Sequence, residues 1–322
     1  MKTPDRVRAR AAWPAVDWPA VLGAALRGGL RRHAVLRRRC VAQGSPRAVH
    51  QLRVETRRLL ALADLIGAVG GGATDQLRRS LRRCLRDTAK ARDAVVQLKQ
   101  VEERIASEPA LRPFRARLRR GVKRAVRAMR DRLRHGGKKL RRRGRSLAGA
   151  AGASGAGAAA ALAVVRTVRA AFATARSANR DAQRAATQTH RARLALKRLR
   201  YLAEALRVWV PGITAAWLEQ LRRRQHRTGE IHDLQVLAGC LARYVARRPG
   251  QPIRLRRVRR WLAAREKRLR RTVSAELPAP PAGLRRLLVR RGAADGRAQG
   301  GKRAATKTNS RGGGTKRRPD AS

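Results

Sequence analysis

The sequence predicts an all-α protein made of two similar halves, each of four helices, followed by a basic tail. Three observations predict it. His50, Arg53 and Arg57 recur 140 residues later as His190, Arg193 and Lys197, and Asp93 recurs as Asp233 at the same offset, which implies one unit built twice. Apolar residues return at helical spacing, whereas strand-like alternation is almost absent. Aromatic residues are only 3% of a chain that is 43% hydrophobic, so Leu, Val and Ala must fill a core of closely packed helices.

The elements follow in order. Residues 1–19 read as an irregular lead-in whose Trp13 or Trp18 packs back on the helices. A first helix runs over Ala20–Ala42. Gly44 stops it, Ser45 is an N-cap and Pro46 a first helical residue, so the second helix carries His50 and ends at Gly70–Gly72. Thr74 opens a long helix through Ser107, and Pro109 restarts a fourth that fades near Gly136 and Gly137. These make half one, residues 20–143.

Residues 144–161 are rich in Gly, Ala and Ser and read as a linker, although the closing Ala run also suits a helix. Half two, residues 160–277, repeats the plan with helices over 160–184, 187–210, 214–246 and 253–275, broken at Pro211/Gly212 and at Pro249/Pro252. Together, 20–277 form one domain. Residues 278–322 are a Pro-rich hinge and a tail of Gly, Lys and Arg, expected to be disordered and able to bind acidic polymers without folding.

Charge is the anomaly in the composition. Lys and Arg number 80 against 20 Asp and Glu, a formal net of +60 in 322 residues, so the fold repels itself unless a polyanion screens it. Part of this excess reflects a general preference for Ala, Arg and Gly, and net charge alone names no ligand. Cys40, Cys84 and Cys240 form no CxxC or Cys/His metal spacing, which favours free buried thiols and no metal site. No apolar run was expected to reach membrane-spanning length, and a soluble cytoplasmic protein is the expectation.

Helical phase sharpens the repeat. At 100° per residue, His50, Arg53, Arg57 and Asp64 fall within an arc of about 60°, opposite Leu52, Leu59, Leu62 and Ile66. His190, Arg193, Lys197, Tyr201 and Glu204 share a stripe opposite Leu196, Leu199, Leu202 and Leu206. The following helices align Arg82, Arg86 and Asp93 on one face, and Arg222, His226 and Asp233 on another. A charged stripe opposite a Leu stripe is ordinary for a surface helix; the repeated placement of His, Arg, Arg/Lys and acid is not. Arginine forks and a lysine point charge suit phosphate oxygens, and histidine donates once protonated beside an anion. Asp64, Glu204, Asp93 and Asp233 are expected to orient arginines or link helices.

The segments "VHQLRVETRRL" and "THRARLALKRLRYLAEAL", with "KARDAVVQL" and "GEIHDLQVL", resemble the signature of the CHAD family, the conserved histidine α-helical domain. The resemblance spans most of residues 20–275. It implies two four-helix halves around a basic groove or cavity, non-catalytic binding of inorganic polyphosphate, no cofactor, and association with polyphosphate granules. It also implies anion contacts from His50, Arg53, Arg57, His190, Arg193 and Lys197, with Arg58 and Arg198 as neighbours. Arg82, Arg86, Arg222 and His226 extend the set. Arg200 has no counterpart in half one, where Leu60 stands, and Arg92 stands where half two has His232. Two other readings remain open: a nucleic-acid or nucleoid protein bound without sequence preference, to which the tail would contribute weakly, and a phosphohydrolase using His with Asp or Glu. Against the first stand too few aromatics to stack bases; against the second, no Gly-rich phosphate loop and no paired-carboxylate site.

Overall fold

The computed structural model describes residues 16–70, 74–153, 157–184, 188–210, 212–247, 255–273, 276–282 and 284–285. These residues form helices and turns, with no strand among them. In chain order the helices are α1 (Trp18–Gln43), α2 (Pro46–Ala68), α3 (Asp75–Asp87), α4 (Ala89–Glu102), α5 (Arg112–Arg134), α6 (Gly137–Ala153), α7 (Ala158–Arg184), α8 (Thr189–Leu206), α9 (Ala215–Val245) and α10 (Arg256–Thr272). A 3₁₀ turn, Pro109–Leu111, leads into α5. Residues 286–322, which hold the basic tail, and Trp13 lie outside the described residues.

Local chemistry sets the boundaries. Asp17 accepts from the amide of Ala20 at 3.0 Å and starts α1, with Pro19 in its first turn. Gly44 ends it in the left-handed region, at φ 61°, returning its N–H to the Cys40 carbonyl at 2.9 Å. A Cβ there would stand 2.6 Å from Val126 Cγ1, so glycine is required twice over. Ser45 caps α2 through Ala48, and Thr214 caps α9 through Trp217.

Several expectations need correction. The long helix over Thr74–Ser107 is two helices interrupted at Thr88, and the Thr74 side chain makes no capping bond. The stretch from Gly144, expected as a linker, is helical through Ala153. Leu140, Leu147, Ala148 and Ala151 of α6 are buried, chiefly against α1. Small residues permit this: a Cβ on Gly144 would meet Leu30 Cδ1 at 2.5 Å, and one on Gly23 would meet the Ala148 carbonyl oxygen at 2.9 Å. Residues 154–156 lie outside the description. Nor does the packed domain end at 277. Trp217 Nε1 donates to the Pro278 carbonyl at 3.2 Å, and Leu284 is 2% exposed within the main core.

Helix α7 is, by length and composition, apolar enough over Ala158–Ala182 to cross a membrane, against the expectation that no run would be. In the fold its Val164, Val168, Ala171 and Ala175 join the core, packed on α8 and α2.

The core is not divided by the sequence halves. One cluster unites Trp18, Leu22 and Leu26 of α1, Leu59 and Ile66 of α2, Leu147 of α6, Val164 of α7, Leu199 and Leu202 of α8, and Trp217 and Leu221 of α9. A second joins Val101 of α4 and Phe114 of α5 to Leu241 and Tyr244 of α9 and Leu262 of α10. A third packs Leu52, Cys40, Cys84 and Met129. Cys40 and Cys84 are free and buried, while Cys240 is only partly so. The Leu stripes of α2 and α8 thus face inward, and their His/Arg stripes are turned the other way along the same helices.

Candidate anion-binding site

Helices α2 and α8 pack on each other, and α4 and α9 close against them. Their polar stripes meet. Lys197 lies in the field of Arg57, Arg193, Arg92 and Arg53, and its ammonium titrates near 6 because burial and then these four cations disfavour its charge. Burial, opposed by Asp233 and Asp93 and reinforced by Arg92 and Arg57, also lowers Arg193. Arg53 and Arg57 are pushed down chiefly by burial. None of these four basic side chains forms an ion pair with a carboxylate among the described residues.

Each is nevertheless placed. Arg53 Nη1 donates to the Leu85 carbonyl and to Thr88 Oγ1, both at 2.7 Å. Leu85 O thereby accepts from a side chain where α3 gives way to α4. Thr88 returns its own hydroxyl to the Cys84 and Leu85 carbonyls, and Thr228, at the equivalent point of α9, does the same to Arg224 and Gln225 in a helix that runs on unbroken. Arg57 lies beside the buried Tyr201 side chain, which lines the same cavity. Arg193 is 9% exposed, and its Nε is buried with no hydrogen-bond partner.

The histidines stand at the same end. His50 is held below its ordinary value by burial and by Arg57, Arg92, Arg53 and Arg200. His190 is lowered by burial, Arg193 and Lys197. Its ring lies 5.3 Å from that of His232, which burial and Arg193 hold down to about 4. All three are neutral imidazoles at neutral pH.

Acids act as links. Arg92 of α4 clasps Asp233 of α9 through two parallel bonds, Nη1 to Oδ1 at 2.7 Å and Nη2 to Oδ2 at 2.8 Å, and also reaches Asp93 at 3.0 Å. Arg198 Nε donates to Asp64 at 3.0 Å, and Arg58 lies 3.9 Å from Glu204. These two pairs exchange partners across α2 and α8 at the 140-residue offset.

A cavity of about 420 Å³ opens beside Arg57 and Lys197, with Arg82, Arg78, Arg198 and Tyr201 in its wall. Arg82 is exposed there. A second, of about 520 Å³, lies on the α1 side and contains Arg58 and Arg222, but its charge is compensated: Arg222 meets Glu204 at 3.0 Å and Glu219 at 3.4 Å, and Arg58 meets Glu55 at 3.5 Å.

The structure therefore brings together His50, Arg53, Arg57, His190, Arg193 and Lys197, with Arg82 at the edge. Arg58, Arg198 and Arg222 are engaged by carboxylates. Arg200 is buried over the Tyr201 ring, bonded to Glu204 and, at 2.7 Å, to Gln225 Oε1. His226 points out toward Glu230, and Arg86 is exposed on α3 outside either cavity. Sequence reasoning missed Arg92, His232 and Arg78 as members of the neighbourhood. The first two occupy one repeat position with different residue types, which hid them; Arg78 faces Leu218 at the same offset.

These features define an all-α protein with a cluster of uncompensated cations between two helices. The family follows: a CHAD domain model matches residues 24–242, and the chain belongs to the CHAD family. Its fold is similar to the crystal structure of the CHAD domain from the plant Ricinus communis, with a TM-score of 0.58 and 22% identity over 84% of this chain and 90% of that one. No curated protein matches the sequence.

Proposed function

We propose that this protein binds inorganic polyphosphate without catalysis, and that it acts at polyphosphate granules in the cytoplasm. One observation carries the reading: Arg53, Arg57, Arg193 and Lys197 converge from α2 and α8, half-buried to buried and with no ion-paired carboxylate among the described residues. Such an array in a poorly solvated site attracts an anion strongly. A chain of phosphates matches it because every repeat offers charged oxygens to the forks and there is no base to be read. Family membership supports the same ligand. Neither cofactor nor metal is needed for this role, and the neutral histidines serve as donors rather than as acid/base catalysts.

Titration of the full chain with long-chain polyphosphate tests the proposal. Arg57→Ala with Lys197→Ala should weaken binding more than tenfold, whereas replacing the tail lysines Lys302 and Lys307 by Ala should change it less than twofold. Equal losses from the two double variants, or no preference over duplex DNA of equal charge, would overturn it.

A further inference from the structure

Between Arg112 and Arg145 the chain holds a single acidic residue, Asp131. This stretch forms α5 and α6, which rest on α1, α3 and α4 rather than on the α2–α8 pair that carries the central cluster. Arg120, Lys123, Arg124 and Arg127 are exposed on α5, and Lys138, Lys139, Arg141 and Arg142 on α6. None of these eight side chains meets a carboxylate among the described residues. Some exposed arginines elsewhere do, as Arg222 with Glu204 and Glu219 and Arg257 with Glu108 at 3.2 Å, while Arg223 and Arg259 do not; what sets this face apart is eight such side chains on two adjoining helices.

The face is also built. Arg37 of α1 donates to the Leu133 carbonyl at 2.9 Å and to that of His135, closing the end of α5. Arg130 of α5 donates to the Val41 carbonyl at 2.6 Å. With these two arginines pinning the frame, a cavity of about 610 Å³ remains where α1, α5 and α6 meet. Arg38, Lys138 and Arg141 stand in its wall, and no lining residue is acidic. Its apolar floor includes Leu133 and the buried His33, whose Nε2 lies 3.8 Å from Cys84 Sγ.

We propose that the α5–α6 face is a second binding surface for inorganic polyphosphate, so that one protein molecule holds two phosphate chains, or two stretches of one, at once. This rests on polyphosphate being the ligand of the central cluster. The face offers donors for phosphate oxygens but no exposed Phe, Tyr or Trp for stacking, since Phe114, the aromatic residue of α5, is buried and the exposed ring at this face is the small imidazole of His135. That favours a polyanion without bases. Two surfaces on one rigid frame also turn a binder into a cross-linker, because the second contact forms at high effective concentration.

The experiment uses the full chain and three variants: Lys138→Glu/Arg141→Glu/Arg142→Glu on α6, Lys123→Glu/Arg124→Glu/Arg127→Glu on α5, and Arg57→Ala/Lys197→Ala at the centre. Binding of a labelled short polyphosphate and light scattering with long-chain polyphosphate are both measured. Each face variant should keep short-chain affinity within about threefold and lose more than tenfold in scattering. Scattering at the wild-type level from both face variants would overturn the proposal. If the central variant binds the short chain like wild type while the face variants still lose scattering, the central reading fails and the face stands. If scattering with duplex DNA of matched charge falls in parallel, the surface is a general polyanion face and the assignment to polyphosphate is wrong.

Discussion

Arg53 Nη1 and Thr88 Oγ1 are 2.7 Å apart, and the same nitrogen reaches the Leu85 carbonyl at 2.7 Å. Arg193, its repeat counterpart, leaves its own Nε buried without a partner. The two arginines therefore carry different burdens. Arg53→Ala should lower stability by about 2 kcal/mol, the scale of hydrogen bonds from a charged donor, and weaken polyphosphate binding as well. Arg193→Ala should weaken binding with less than about 1 kcal/mol lost. Urea unfolding beside a binding titration measures both. Equal stability losses would show that the bonds of Arg53 are incidental.

Lys197 titrates near 6 in the folded chain because burial and then Arg57, Arg193, Arg92 and Arg53 oppose its charge. The unfolded chain keeps that proton up to the ordinary 10.5. Between these values the unfolded state binds more protons, so the Lys197 contribution makes the fold more stable as pH rises; the cost of charging it is complete below about pH 6. Lys197→Met should thus be more stable than wild type near pH 6, with the advantage fading toward pH 10. A bound phosphate chain stabilises the ammonium, so binding near pH 8 should take up a proton and affinity should fall from pH 7 to pH 9. Around it, His50, His190 and His232 are lowered and already neutral there, while Asp93 and Asp233 are engaged with Arg92. Lys197→Arg should flatten the fall; an unchanged slope would place the proton on another group.

Gly144 and Gly23 set how closely α6 lies on α1. Gly144→Val drives a branched side chain into Leu30, whose Cδ1 already stands 2.5 Å from where a Cβ would be. The expected cost is about 1–3 kcal/mol, the usual penalty of overpacking, read as a lower denaturation midpoint. Gly149, with nothing within 4 Å of its notional Cβ, is the control: Gly149→Ala should be neutral or slightly stabilising in this helix. If both substitutions behave alike, α6 is not packed as described.

Much of this was legible in the sequence, because period and offset are physical signals. The Leu stripes of α2 and α8 had to face a core, and the phase of His50, Arg53 and Arg57 against Leu52 and Leu59 placed them on one side. The cap at Ser45 was readable for the same reason: its side chain acts within one turn. What failed was non-local. Glycine reads as flexibility along a chain, yet Gly144 serves close approach to Leu30, a partner far away in sequence. Thr88 looks like any mid-helix threonine until Arg53 arrives from α2 to claim the neighbouring carbonyl. Likewise, a basic stripe cannot show which arginines will be neutralised. Arg58, Arg198 and Arg222 carry the same charge as Arg57, but Asp64 and Glu204 reach them first. The expectation that acids link helices holds in Arg92–Asp233, a pair that joins residues from opposite halves.

That clasp has a consequence for synthesis. A nascent chain that has emerged only as far as α6 already contains Arg53, Arg57 and Arg92, but Lys197, Arg193 and Asp233 are still inside the ribosome or not yet translated. Like charges released early have no opposing wall to be held against, and Arg92 has only the adjacent Asp93 to answer it. The cation cluster is accordingly a late product of translation, assembled when α8 and α9 dock, and an incomplete polypeptide cannot carry it.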